Sequence, residues 1–250
     1  MPVASPFVYT RIREAGASRR SLLAVLLDPD HLTPERLDGY LRHALDAQID
    51  FFFVGGSLIM DDSTDKWIQN IKKNCDIPVV SFPGSPAQVS RHADALLLLS
   101  LVSGRNADLL IGQHVVAAPL LHGLPVEIIS TAYLLIDGGV PTTVSYMSNT
   151  MPIPADKPQI AVCTAMAAEM LGMKMAYLDA GSGALRAVPV STIEQVREYT
   201  HFPIIVGGGI RTPEIAQRQC RAGANLIVIG NVLEKKPALV REMSAAIREI

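Results

Sequence analysis

Eight short apolar runs rich in β-branched residues alternate with longer segments of helical period, and this eightfold alternation constrains the fold more than any other feature. The runs are SLLAVLL (21–27), FFFVGG (51–56), IPVVSF (77–82), ADALLLLS (93–100), VEIISTAYLLI (126–136), MAYLDA (175–180), FPIIVGG (202–208) and NLIVIG (225–230). Several are apolar throughout, as expected for parallel strands covered on both faces. Eight strands separated by helices fit a (β/α)8 barrel of the α/β class better than an open doubly wound sheet. A barrel of this kind takes about 250 residues as one domain. Residues 1–250 are therefore expected to form a single domain, and 49% hydrophobic against 18% charged residues excludes disorder for the bulk of it.

The intervening segments carry helix start signals. Thr33-Pro34-Glu35 and Thr212-Pro213-Glu214 each place Thr at an N-cap and Pro at the first helical position, and Ser191-Thr192-Ile193-Glu194 offers a capping box. The connection after the third run, PGSPAQVSRH, leaves room for barely one helical turn. The connection after the fifth is long, with a Pro/Ser/Thr-rich stretch from Asp137 to Pro158.

A net charge of −2 and a pI of about 6.3 argue against a nucleic-acid partner. Arg11, Arg13, Arg19 and Arg20 are read as solvated surface rather than an anion site. Cys75, Cys163 and Cys220 are too dispersed for a disulfide framework or a zinc site. The opening MPVASPFVYT lacks the pattern of a signal peptide, and Leu109–Val126 is interrupted by Gly112, Gln113, His114, Pro119 and His122. The expectation is a soluble, cytoplasmic protein.

Active sites of such barrels lie at the C-terminal ends of the strands, and there polar and glycine residues concentrate. The first run ends in Asp28-Pro29-Asp30-His31, the second in Gly55-Gly56-Ser57 and the third in Phe82-Pro83-Gly84-Ser85. The sixth leads into Asp179-Ala180-Gly181-Ser182-Gly183, the seventh into Gly207-Gly208-Gly209-Ile210-Arg211 and the eighth into Gly230-Asn231. Three consecutive glycines open backbone amides to a ligand, a helix starting near Thr212 adds its positive end, and Gly230-Asn231 supplies a second cradle. Loops after strands seven and eight form the usual barrel phosphate site, so phosphate binding is favoured over a mere tight turn.

Asp28 and Ser57, on adjacent strands, can hold one face of a magnesium ion, leaving the rest to water and a diphosphate. The competing reading is that Asp28-Pro29-Asp30 caps its own loop, and for Asp30 that reading is at least as good. His31 is read as loop or cap, and the other five histidines (43, 92, 114, 122 and 201) get no role. Asp179 is a candidate general base; chemistry alone leaves it equally open as an anchor for the ligand or for neighbouring amides. Trp67 and Phe51–Phe53 are assigned to the core.

Laid side by side, LLDPDH (26–31), VGGS (54–57), SFPGS (81–85), SYMSNTMPIP (145–154), AYLDAGSGA (176–184), VGGGIR (206–211), AGAN (222–225) and VIGN (228–231) resemble the geranylgeranylglyceryl and heptaprenylglyceryl phosphate synthase family over most of the chain. The resemblance implies a magnesium-dependent prenyltransferase that joins a polyprenyl diphosphate, here taken as geranylgeranyl, to the C3 hydroxyl of sn-glycerol 1-phosphate and releases diphosphate. On the family pattern the glycerol phosphate is held by Tyr177, Leu178, Asp179, Ala180, Gly181, Ser182 and Gly183, with Gly208, Gly209, Gly230 and Asn231. Asp28 and Ser57 match the Mg2+ positions, Asp179 the base, and Tyr177 could stabilise allylic charge through its ring. The resemblance also implies a barrel whose third helix is reduced, a homo-oligomer of two or more copies, and peripheral membrane contact for product release.

The sequence departs from the family at Asp179, where Glu is usual; Asp is shorter by one C–C bond, roughly 1.5 Å. Three rivals use the same phosphate loops. One is a sugar-phosphate isomerase or aldolase with Asp28 and Asp179 as acid and base. A weaker variant binds flavin, and the third is a noncatalytic phosphate-ligand binding protein. The isomerase or aldolase does not explain SNTMPIP, and retention of Asp28, Ser57 and every glycine cradle argues against the noncatalytic reading.

Overall fold

Each of the eight apolar runs is a strand: β1 (Leu22–Leu27), β2 (Phe51–Val54), β3 (Val79–Ser81), β4 (Ala95–Leu101), β5 (Glu127–Leu135), β6 (Met175–Asp179), β7 (Ile204–Gly207) and β8 (Leu226–Ile229). The computed structural model describes residues 7–18, 20–60 and 63–250. All neighbouring pairs are parallel, and β8 returns to β1, so the sheet closes into a barrel in chain order. The helices are α1 (Phe7–Ala17), α2 (Pro34–Ala47), α3 (Thr64–Asn74), α4 (Gln113–Leu121), α5 (Thr143–Ser148), α6 (Pro158–Met170), α7 (Val190–Tyr199), α8 (Pro213–Arg221), α9 (Asn231–Lys235) and α10 (Leu239–Arg248).

Strand periodicity divides the core in two. Phe51 and Phe53 point into the barrel with Leu22, Ala24, Leu97, Tyr133 and Tyr177. Phe52 and Val54 point outward, against the helices, with Leu23, Val25 and Leu178. Both faces are apolar and buried, which is why the runs read as continuous rather than alternating. Trp67 and all three phenylalanines are core.

The connection after β3 is a single 3-10 turn, Pro86–Gln88, as its length requires. A π-helical turn at Asp108–Gly112 leads into α4. Thr33 and Thr212 cap α2 and α8, accepting the amides of Arg36 (3.3 Å) and Ile215 (3.4 Å). The expected capping box at Ser191 does not form: α7 starts at Val190 behind Pro189, whose carbonyl takes the Thr192 amide, so Ser191 already lies in the first turn. A capping box forms instead at α5, where Thr142 and Ser145 exchange side-chain and backbone bonds, with Ser in place of the usual Glu or Gln.

The arginine cluster is also corrected. Arg11 and Arg20 both bind the buried Asp50 carboxylate, at 2.8 and 3.1 Å, and Arg11 also lies over the Phe51 ring. Arg13 is exposed and Arg19 lies outside the described residues. Helix α1 closes the N-terminal end of the barrel, with Val8 and Ile12 packed against the inner core. Cys75, Cys163 and Cys220 are free thiols. Among the described residues no helix is long and apolar enough to cross a membrane.

Candidate active site

The strand-end loops converge on two cavities that share a wall. The polar one, about 670 Å³, lies over the C-terminal mouth of the barrel. It is lined by Asp28, Gly56, Ser57, Tyr177, Asp179, Ser182, Gly183, Gly208, Gly209, Gly230 and Asn231, among others. The apolar one, about 330 Å³, runs outward beside it between β4, α4 and the connection after β3, past Leu97, Leu99, Leu109, Ala117 and Leu121. That space exists because a 3-10 turn stands where a full helix would otherwise cover the strands. Gly56, Ser57, Leu58, Phe82 and Tyr133 line both cavities and so mark their junction.

Asp179 is the last residue of β6 and, like Tyr177 two residues earlier, points inward. Its Oδ1 accepts the Gly181 amide at 2.8 Å and its Oδ2 accepts the Tyr133 hydroxyl at 2.5 Å. Burial raises its pKa above the ordinary carboxylate range, opposed by those two donors. Burial, reinforced by the Asp179 charge, likewise holds the Tyr133 and Tyr177 phenols well above their usual range. Tyr177 packs its ring against Phe82 (5.2 Å between centroids) and Tyr133 (5.5 Å). It lines the polar cavity only, so the rings at the junction are Phe82 and Tyr133.

Gly208 and Gly209 adopt φ of +75° and +68°, which L side chains rarely take. A Cβ on Gly208 would lie 2.6 Å from Asp179 Oδ1 and from the Gly181 nitrogen, so this position requires glycine on both counts. Beyond them α8 points its N-terminus toward the rim. Ser182 Oγ donates to Asn231 Oδ1 at 3.0 Å and ties the loops after β6 and β8 together.

Not every expected ligand residue faces the cavity. Leu178 and Ala180 alternate with Tyr177 and Asp179 and are buried toward the helices. The Gly181 amide is taken by Asp179, and none of these three lines the polar cavity. Thr143, Arg211, Lys235, Phe82 and Tyr133 do line it, and residue patterns had not singled them out as site residues. Arg211 lies two residues after Gly209, and Lys235 lies one helical turn after Asn231, which was the available signal. Tyr133 lies inside an otherwise apolar run, and a phenol there was a usable one.

Asp28 caps its own loop and also lines the polar cavity. Its Oδ1 accepts the Asp30 amide at 3.1 Å and caps the 3-10 turn Pro29–His31. Its Oδ2 faces the Gly56 backbone, 3.6 Å from where a Cβ would stand. Burial raises its pKa, against the Asp30 amide and His31, with further repulsion from Asp30 and Glu234. The Asp30 carboxylate instead receives the Met60 amide (2.9 Å), and His31 Nδ1 lies 3.3 Å from Glu234 Oε1. Among the described residues no group of three or more His, Cys, Asp or Glu could hold a metal. A part-buried carboxylate and a hydroxyl lining the same cavity nevertheless suit magnesium, which commonly takes one or two carboxylates and completes its shell with waters and substrate phosphates.

A site split in this way suits a ligand with an anionic head and an apolar tail, and it places the chain among barrel enzymes that act on such amphiphiles. Residues 17–250 match the PcrB family, and the chain belongs to that family. It is 52% identical over 240 residues to the geranylgeranylglyceryl phosphate synthase of Chitinophaga pinensis, covering 96% of this chain and 95% of that one. It is 49% identical to the enzyme of the same name from Spirosoma linguale, with 96% of each chain covered. The crystal structure of (S)-3-O-geranylgeranylglyceryl phosphate synthase from Thermoplasma acidophilum, in complex with sn-glycerol 1-phosphate, superposes with a TM-score of 0.92. It is 32% identical, with both chains fully covered.

Proposed function

We propose that this protein transfers a geranylgeranyl group from its diphosphate to the C3 hydroxyl of sn-glycerol 1-phosphate, forming the ether bond and releasing diphosphate. The observation that carries the reading is the shared wall between a glycine-lined polar cavity and an apolar one. The head group's phosphate would lie on the Gly208 and Gly209 amides before α8, with Ser182 and Asn231 closing the opposite side. The prenyl tail would lie along β4 and α4. The allylic carbon and the glycerol hydroxyl would then meet at the junction.

Asp28 and Ser57 would hold Mg2+, which when bound supplies positive charge to stabilise the departing diphosphate. Charge developing at the allylic carbon meets the rings of Phe82 and Tyr133, with Tyr177 behind them, a contribution of roughly 0.5–2 kcal/mol. Asp179 receives the hydroxyl proton. A sugar-phosphate isomerase or aldolase would use the polar cavity but has no need of the apolar one. The reading includes a cytoplasmic homo-oligomer that meets the membrane only to release product. Ile111, Val115, Val116 and Leu120, exposed on α4 and the turn before it, are the apolar surface that a second copy would cover.

Incubation with radiolabelled sn-glycerol 1-phosphate and magnesium, with farnesyl, geranylgeranyl and heptaprenyl diphosphates offered in parallel, tests this. A lipid-soluble product is expected from the geranylgeranyl donor, and neither with EDTA nor from sn-glycerol 3-phosphate. No product from any donor would refute the reading.

A further inference from the structure

We infer that Tyr133 is a catalytic residue of this enzyme, relaying the proton of the attacking glycerol hydroxyl to Asp179. The inference rests on the function proposed above. The new ether bond joins a carbon delivered through the apolar cavity to an oxygen held in the polar one, so it forms where the two meet. Of the five residues that line both cavities, Ser57 and Tyr133 alone bring a side-chain hydroxyl. Only Tyr133 is joined to a carboxylate, through the 2.5 Å bond from its hydroxyl to Asp179 Oδ2. Asp179 itself lines only the polar cavity. Its other oxygen is bonded to the Gly181 amide.

An aspartate in this place falls short of the junction, and the phenol hydroxyl stands in the gap. The β-sheet register makes this possible: Tyr133 pairs with Tyr177 and Leu135 with Asp179, so the phenol and the carboxylate lie on adjacent strands with their side chains inward.

The step balances as follows. As the allylic C1–O bond breaks, diphosphate leaves with the electron pair, and the glycerol C3 oxygen forms the new C–O bond. Its proton passes to Tyr133 Oη while the Tyr133 proton passes to Asp179 Oδ2. The tyrosine ends neutral, as it began, and Asp179 holds the proton. Concerted transfer spares the buried phenol from existing as phenolate, a form that burial beside Asp179 disfavours.

A double-mutant cycle tests the relay. In the wild-type background, Tyr133→Phe is expected to lower kcat about 100-fold or more, the usual size of a proton-transfer contribution, with KM for sn-glycerol 1-phosphate changed less than threefold. In the Asp179→Glu background the longer carboxylate reaches the hydroxyl directly, so Tyr133→Phe should cost less than about tenfold. An equal loss in both backgrounds, or near-wild-type turnover of Tyr133→Phe, overturns the inference. If Tyr133→Phe does not fold, Tyr133→3-fluorotyrosine keeps the ring shape and lowers the hydroxyl pKa. It should change kcat without changing glycerol phosphate affinity, and an unchanged kcat overturns the inference. Absence of product from the wild type would instead refute the proposed function, so the two failures are distinct.

Discussion

The carboxylates at the two rims of the barrel are compensated differently. At the N-terminal rim Asp50 is bound by Arg11, Arg20 and the Leu23 amide. Glu127 takes the Val8 and Tyr9 amides at 2.7 and 3.1 Å, where α1 begins, and Asp94 takes Lys72 and the Val79 amide. At the C-terminal rim Asp28 and Asp179 have neither Lys nor Arg within ion-pair distance among the described residues. Asp28 has only His31, at 4.0 Å. The first set is satisfied by the fold itself. The second is left with a desolvation cost that a cation or a substrate proton can relieve. Barrel enzymes divide stability and chemistry between the two ends in this way, and the cost retained at the upper rim marks the site.

The contrast can be broken most directly at Asp179. Asp179→Asn keeps the size of the side chain and an oxygen for one of its two donors, and should lower kcat by about 10²–10⁴-fold while leaving affinity for sn-glycerol 1-phosphate within threefold. Calorimetric binding beside a turnover assay checks this, and turnover near wild type would strip the upper carboxylate of its role. At the lower rim, Asp50→Ala should do the reverse. It leaves the buried Leu23 amide without its acceptor and should cost about 1–3 kcal/mol in urea unfolding, with kcat per folded molecule unchanged. A stable but slow Asp50→Ala enzyme would show that the lower rim takes part in the chemistry.

The smallest effect sharpens the contrast through pH. Because burial raises the folded pKa of Asp28 above its unfolded value, its protonated form stabilises the fold. That contribution is complete below the unfolded pKa and is lost as pH rises through the raised folded one. Asp28→Asn lacks the loss, so it should gain stability relative to wild type between acidic and neutral pH, modestly, since the carboxylate is a third exposed. Urea midpoints taken across that range check it; a difference that does not vary with pH would mean Asp28 is compensated after all.

Much of this architecture was legible in the chain. The eight runs, the shortened third connection and the caps at Thr33 and Thr212 follow from local rules of period and turn chemistry. The rim residues Asp28, Ser57, Asp179, Ser182, Gly208, Gly209, Gly230 and Asn231 were found because strand ends are visible in sequence and barrels place their sites there. The capping box assigned to Ser191 failed because Pro189 opened α7 earlier, and the real one at Thr142 lacked the acidic residue that advertises it. The arginines read as surface became ligands of Asp50, a partner 30 to 39 residues away that no local pattern points to.

By itself, then, the sequence determined that eight strands alternate with helices, that their C-terminal ends gather glycines and carboxylates, and that one helix is missing. Those properties depend on neighbours within a few residues. The tertiary structure decided which alternate residues face inward, turning Leu178 and Ala180 toward the helices and Tyr177 and Asp179 toward the polar cavity. It also decided that the gap left by the missing helix opens beside the polar cavity, and that Tyr133 meets Asp179 across 46 residues of chain. The register of adjacent strands sets such contacts, and register is settled only when the whole barrel closes.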